Sequence, residues 1–183
     1  MVYILLGTGF EEIEALAPCD LLRRAGVEVH LVGLTGHRIV GSHKICVETD
    51  LVIEEAVHQL PELLILPGGL GGVRSLRACA PALELTKKCW EAGKTVAAIC
   101  AAPTILAELG IIGDKKAVCY PGNEDKMGPA QIQDASTVED GRLITGRAAG
   151  SAIDFALVLV ERMAGRAEAE RIAKGIVYRH WEA

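Results

Sequence analysis

Short apolar runs, glycine-rich turns and stretches with helical spacing alternate along this chain. Val2 to Leu6 is an apolar run followed by Gly7-Thr8-Gly9 and then by a helical pattern that reaches Ala25. That succession reads as strand, tight turn and helix. After Gly26, residues 27–34 alternate about Glu28 and His30, which predicts a second strand with faces of different polarity. Residues 35–53 hold Gly36, Gly41, Asp50 and short β-branched stretches, and predict a hairpin or irregular excursion. Leu63 to Leu66 is a short buried strand stopped by Pro67-Gly68-Gly69. A helix over about 81–92 closes at Gly93 in a C′ position. Thr95 to Ile99 is another buried strand, Cys100 sits at its end, and a helix over 103–109 ends at Gly110. Residues 115–120 and 142–145 predict further short strands, and helices over about 151–164 and 166–178 follow.

Strands alternating with helices of this length imply parallel βαβ units. The expected fold is therefore α/β, a doubly wound, mostly parallel sheet with helices on both faces. In such sheets the working crevice lies outside the carboxyl ends of the strands. Three turns are placed there: Gly7 to Glu14, Pro67 to Gly72, and Cys100 to Pro103.

Composition narrows the function classes. The 183 residues are half apolar and poor in aromatics, which suits a single domain built on a buried sheet. A formal charge of -5 with both signs interspersed offers no basic face for nucleic acid or anionic lipid. No apolar run approaches the roughly 20 residues of a membrane span. Met1 to Leu6 is short, lacks a basic leader and runs into Glu11, Glu12 and Glu14, so a signal peptide is not expected and the cytoplasm is. The six cysteines fall in no paired spacing, and free thiols are expected of them.

One cysteine stands apart. Cys100, within Ala98-Ile99-Cys100-Ala101-Ala102-Pro103, has small neighbours at the junction of a buried strand and a helix, the arrangement of a nucleophile elbow. Free N–H groups at the start of the next helix would face its sulfur and lower a thiol pKa that is otherwise about 8.5. The alternative is one more small buried residue in an Ala-rich segment. For Cys19, Cys79, Cys89 and Cys119, core filling or incidental exposure is the expected role.

Among the acids after the first strand, Glu11 fits a capping box with Thr8, and Glu12 fits a solvated position. Glu14 shares a helix face with Phe10, Ala17 and Leu21 and is its one charged member. Burial there would raise its pKa and suit it to proton transfer at Cys100, while a capped surface acid is the other reading. Pro18 removes a hydrogen bond from the same helix. Leu66-Pro67-Gly68-Gly69-Leu70-Gly71-Gly72 lacks the Gly-Lys-Ser/Thr ending of a phosphate loop, so nucleotide binding is not expected. Its glycines either bring backbone N–H groups beside Cys100 as an oxyanion pocket or simply supply positive φ. His37, His43 and Cys46 match no metal spacing, and no metal or other cofactor is expected. Tyr178 and Trp181 are expected to dock the last helix or an interface.

With Phe10-Glu11-Glu12-Ile13-Glu14, Leu66-Pro67-Gly68-Gly69, the Cys100 segment and Gly146-Arg147-Ala148-Ala149-Gly150-Ser151 in order, the chain resembles the ThiJ/PfpI superfamily from about residue 2 to 175. Within it the similarity is to the branch of the parkinsonism-associated deglycase/glyoxalase protein. The resemblance implies a flavodoxin-like fold, a homodimer, Cys100 as the reactive cysteine and Glu14 as a protonated carboxyl bonded to it. It also implies an anion pocket from backbone of Gly68, Gly69 and Ala101, with Arg24 and Arg147 near the subunit contact or the site. The implied activity is cysteine-dependent detoxification of methylglyoxal, glyoxal or their adducts, the alternative being an oxidative-stress sensor or redox-regulated chaperone. Two departures matter. Ala101 stands where protease-like relatives carry His, which argues against a peptidase, and Tyr120 stands where the parkinsonism-associated protein brings a His toward the cysteine. Cys119 beside it is a candidate partner for an oxidised Cys100.

Overall fold

The structure, a computed structural model, describes residues 1–179, so Trp181 lies outside the described residues. In chain order the elements are β1 (Val2–Leu6), α1 (Glu12–Arg24), β2 (Val29–Gly33), β3 (Arg38–Val40), β4 (Cys46–Glu48), β5 (Leu51–Val52), α2 (Ile53–Ala56) and β6 (Leu63–Leu66). Then follow α3 (Leu70–Ala78), α4 (Ala80–Glu91), β7 (Thr95–Ile99), α5 (Pro103–Glu108), β8 (Lys116–Ala117), a 3-10 turn (Glu124–Lys126) and β9 (Gln131–Ile132). The described part ends with β10 (Thr137–Asp140), β11 (Leu143–Gly146), a 3-10 turn (Ala149–Ser151), α6 (Ala152–Ala164) and α7 (Arg166–Gly175).

Seven strands form the main sheet in the order β10-β11-β7-β6-β1-β2-β5, parallel throughout except for the β10–β11 pair. The central strands read as unbroken apolar runs because both of their faces are covered. Leu64, Leu66, Val96 and Ala98 point into one core with Val73, Leu76, Leu85 and Ile105 of the helices on that side. Their neighbours Leu63, Ile65, Ala97 and Ile99 point into the other, with Phe10, Leu22, Phe155 and Leu159. The period of two that splits these residues is the pleat itself. The chain leaves β1 for β2 on one side and returns to β6 on the other, so a topological switch lies between β1 and β6.

Three local readings need correction, and a fourth, the hairpin, is found as expected. The capping box with Thr8 does not form: Gly9, at φ +82°, turns the chain, α1 starts at Glu12, and its N-cap Glu11 makes no side-chain capping bond. The glycine run is not a loop throughout, because Gly71 and Gly72 lie inside α3. A Cβ on Gly72 would stand 2.7 Å from Phe10 Cα, so the glycines permit a close approach of helix and β1 turn that overrides their low helix propensity. The strand expected over 115–120 is reduced to β8, which pairs with β9 in a separate two-stranded sheet that adjoins β10, and Cys119 lies beyond it. Over 35–53 the excursion is the β3–β4 hairpin, while β5 rejoins the main sheet beside β2.

Candidate active site

The turns after β1, β6 and β7 meet at the carboxyl edge of the sheet. Glu11 N–H donates to the Gly68 carbonyl at 3.0 Å, Cys100 N–H to Gly146 at 2.9 Å, and Tyr120 N–H to the Cys100 carbonyl at 2.7 Å. These bonds hold Cys100 from both sides. Its φ is +67°, a left-handed conformation that costs a non-glycine residue roughly 1–2 kcal/mol. The strained turn lifts the sulfur out of the strand, as the elbow pattern implied.

Glu14 comes to this sulfur from α1. The carboxyl is almost fully buried, accepts the Gly68 N–H at 2.9 Å through Oε2, and shares a hydrogen bond with the Cys100 thiol. The expected backbone pocket is divided in its roles: Gly68 serves the carboxyl, while the N–H groups of Gly69 and Ala101 point at the sulfur. A Cβ at Gly68 would lie 2.5 Å from Glu14 Oε2 and 2.6 Å from Cys100 Cβ, so no side chain fits there.

Burial pushes the Glu14 carboxyl up to about 7, and the nearby Glu11 charge adds to this, against the hydrogen bonds from Cys100 and Gly68. Burial also pushes the Cys100 thiol up to about 12, reinforced by the charge of Glu14 and by the hydrogen bond between them. This is the reverse of the lowered thiol that the sequence led us to expect. The N–H groups of Gly69 and Ala101 do favour the thiolate, but a half-buried sulfur beside a carboxylate outweighs them. Putting the proton on Glu14 removes the carboxylate charge and leaves those N–H groups in place. The pair is thus built to share one proton between sulfur and carboxyl.

A cavity of about 240 Å³ opens over Cys100, lined by Glu11, Gly69, Leu70, Ala101, Tyr120 and Asn123. Tyr120 therefore reaches the site, half exposed at its mouth. Cys119 does not. Its side chain is buried in the core with Ile105 and Val96, and burial with the charges of Glu124 and Asp125 pushes its thiol up to about 11. Arg147 turns instead to Asp134, and its side chain is not part of the cavity wall. Arg24 pairs with Asp20 at the far end of α1, about 15 Å along the helix axis from Glu14. Arg24 thus stands away from the sulfur, whereas Arg147 directly follows Gly146, whose carbonyl accepts the Cys100 N–H, and only its side chain is turned to Asp134.

Glu12 is not solvated as expected. It is 4 % exposed and accepts from His43 N–H at 2.8 Å, from Ser42 Oγ at 3.0 Å and from Ile45 N–H at 3.4 Å. Burial alone would raise its pKa, but the bonds from the His43 side chain and the backbone, joined by Ser42, hold it down at about 2. Ser42 Oγ also reaches Glu11, which lines the cavity, so the hairpin tip is tied to the rim of the site. Serine and histidine at a hairpin tip carry no spacing signal toward a helix thirty residues earlier, which is why this link was not legible. All six cysteines are free thiols.

The model of the DJ-1/PfpI family matches residues 1–162. The chain belongs to the DJ-1/PfpI family. Protein dj-1beta of Drosophila melanogaster is 34% identical over 177 residues, covering 95% of each chain. Its crystal structure superposes with a TM-score of 0.94 at 32% identity, covering 98% of both chains. The Parkinson disease protein 7 homolog of Danio rerio is 35% identical over 180 residues, again covering 95% of each. A protein of Pyrococcus abyssi named a deglycase is 35% identical over 151 residues, 81% of this chain and 90% of its own. The flavodoxin-like expectation agrees with the DJ-1 structural relationship.

Proposed function

We propose that this DJ-1/PfpI protein uses Cys100 and Glu14 to convert small reactive dicarbonyls, or their adducts, to hydroxy acids. The observation that carries the reading is the buried carboxyl bonded to the elbow thiol, with two backbone N–H groups aimed at the same sulfur. With methylglyoxal, the proton passes from sulfur to Glu14 and the thiolate adds to the aldehyde carbon, giving a thiohemiacetal. A proton leaves that carbon and another is delivered to the neighbouring ketone carbon, Glu14 acting as carrier. The first carbon thereby reaches the oxidation level of a thioester while the ketone becomes an alcohol, so no external oxidant is needed. Water then cleaves the thioester, releasing lactate and restoring the thiol. The N–H groups of Gly69 and Ala101 are placed to steady oxygen charge as it develops. The related Pyrococcus protein, named a deglycase, fits the same carbonyl chemistry.

The test is lactate production from methylglyoxal without glutathione. Cys100→Ala should abolish it, and Glu14→Gln should lower kcat by about 10²-fold or more, as loss of a positioned acid–base group does. Full activity in Glu14→Gln would remove the acid from the mechanism, and activity in Cys100→Ala would remove the reading. A second reading, an oxidation sensor, is favoured by the same donors, which suit an oxygen on an oxidised Cys100 sulfur. It predicts that peroxide modifies Cys100 ahead of the other cysteines, measured by peptide mass spectrometry.

The reading includes a homodimer. Ile13 of α1 and Val40 and Ile45 of the hairpin are exposed apolar side chains on adjoining segments, and a second copy is the proposed cover.

A further inference from the structure

A second hollow, of about 340 Å³, adjoins the Cys100 cavity and shares Leu70, Ala101 and Asn123 with it. Its remaining wall carries Arg74 and Arg77 from α3, Lys126 from the 3-10 turn, and Glu108 and Thr104 from α5. These charges are not equivalent. Arg77 is held in two-point contact with Glu108 and donates to Thr104 Oγ1 at 2.6 Å, so this cation and this anion cancel. Lys126 donates to the neutral Asn123 side chain at 3.0 Å, and Arg74 has no hydrogen bond or ion pair among the described residues. Two cations outside any ion pair among the described residues therefore face the hollow, Lys126 following Glu124 and Asp125 in its turn, in a chain whose net charge is -5. Arg77 is committed to its pair on α5.

We propose that this hollow holds the anionic tail of the substrate, a phosphate ester or carboxylate, while the carbonyl end of the same molecule meets Cys100. The inference rests on the dicarbonyl reading for the reacting end, and adds that the preferred substrate is an anionic carbonyl compound rather than a neutral dicarbonyl. Arg74 suits a planar or tetrahedral oxyanion through its fork of donors, and Lys126 supplies a point charge. Asn123, common to both cavities and bonded to Lys126, links the two subsites.

The test uses protection of Cys100 against iodoacetamide at low ionic strength, followed by peptide mass spectrometry so that six thiols are told apart. Glycerol 3-phosphate should slow alkylation saturably, and glycerol should not. In Arg74→Ala/Lys126→Ala the protecting concentration should rise about tenfold, the effect of losing two exposed charge contacts. Arg74→Lys should recover part of the loss, and added salt should weaken protection. Glycerate protecting as well supports a general anion subsite, whereas glycerol 3-phosphate protecting alone supports a phosphate ester. Absence of protection in the wild type, or equal protection in the double variant, overturns the proposal. Protection without methylglyoxal turnover would retire the dicarbonyl reading and keep the subsite, while turnover without protection would do the reverse.

Discussion

Two glutamates on one helix turn, Glu12 and Glu14, are pushed in opposite directions by their surroundings. Glu14 has few donors and much burial, and its carboxyl stands near 7; Glu12 is ringed by donors and stands near 2. Each shift has a consequence for stability, with opposite sign. The folded chain holds the Glu14 proton more tightly than the unfolded chain does, so its contribution is complete below the ordinary carboxyl value of 4.5 and is lost as pH rises toward 7. Glu12 releases its proton more readily when folded, so its contribution is present above 4.5 and is lost as pH falls toward 2. Denaturant unfolding across this range should therefore show a stability maximum near pH 4.5 from this pair. Glu14→Gln should flatten the upper limb, which is worth on the order of 3 kcal/mol, and Glu12→Gln the lower. An upper limb unchanged in Glu14→Gln would mean the carboxyl titrates normally. Sequence spacing identified Glu14 as a charged residue on an apolar face. It could not identify Glu12, because the groups that hold Glu12 arrive from a hairpin whose position is set only by tertiary packing.

Elements show the same division between local and distant causes. The strands β1, β6 and β7 were legible because both-face burial leaves continuous apolar runs, and the elbow was legible because small residues and Pro103 bracket Cys100. Helix α3 was not, since Gly71 and Gly72 in its first turn imitate a loop. Their meaning is a contact: the first turn of α3 lies directly against the β1 turn, and Gly72 faces the Phe10 backbone. At an ordinary helical glycine, alanine stabilises by about 1 kcal/mol. At Gly72 the added methyl meets Phe10 Cα at 2.7 Å and the Phe10 backbone nitrogen at 3.0 Å, and neither can move without shifting the start of α1 that carries Glu14. Gly72→Ala should accordingly destabilise the protein, by about 1–3 kcal/mol, the usual cost of overpacking. It should also reduce Cys100-dependent turnover, because the acid is displaced with its helix. Equilibrium unfolding paired with the lactate assay checks both, and a stabilised, fully active variant would show that this contact relaxes freely.

Over the whole molecule, the sheet places the reactive turn at its carboxyl edge, and α1 and the β3–β4 hairpin leave an apolar surface near it. Ile13 is 55% exposed and Ile45 52%, although each neighbours a buried residue of the same element or hairpin. The hairpin that carries Ile45 is fastened to α1 through Glu12, so the apolar side chains and the rim of the cavity form one continuous structure. A second copy seated on α1 and the β3–β4 hairpin would cover these side chains and restrain Ser42 and His43, which bond Glu12, together with Ser42's bond to Glu11. Assembly and chemistry would then be coupled through the same two acids that precede Glu14. The expected behaviour is a dimer in sedimentation equilibrium, and Ile13→Asp, which places a charge in the middle of the covered surface, should shift the mass to that of a monomer. Because Glu11 raises the Glu14 pKa and is held by Ser42, the monomeric variant should also shift the pH dependence of Cys100 alkylation. A dimer that persists in Ile13→Asp would place the subunit contact elsewhere, and a monomer with an unaltered alkylation profile would separate assembly from the site.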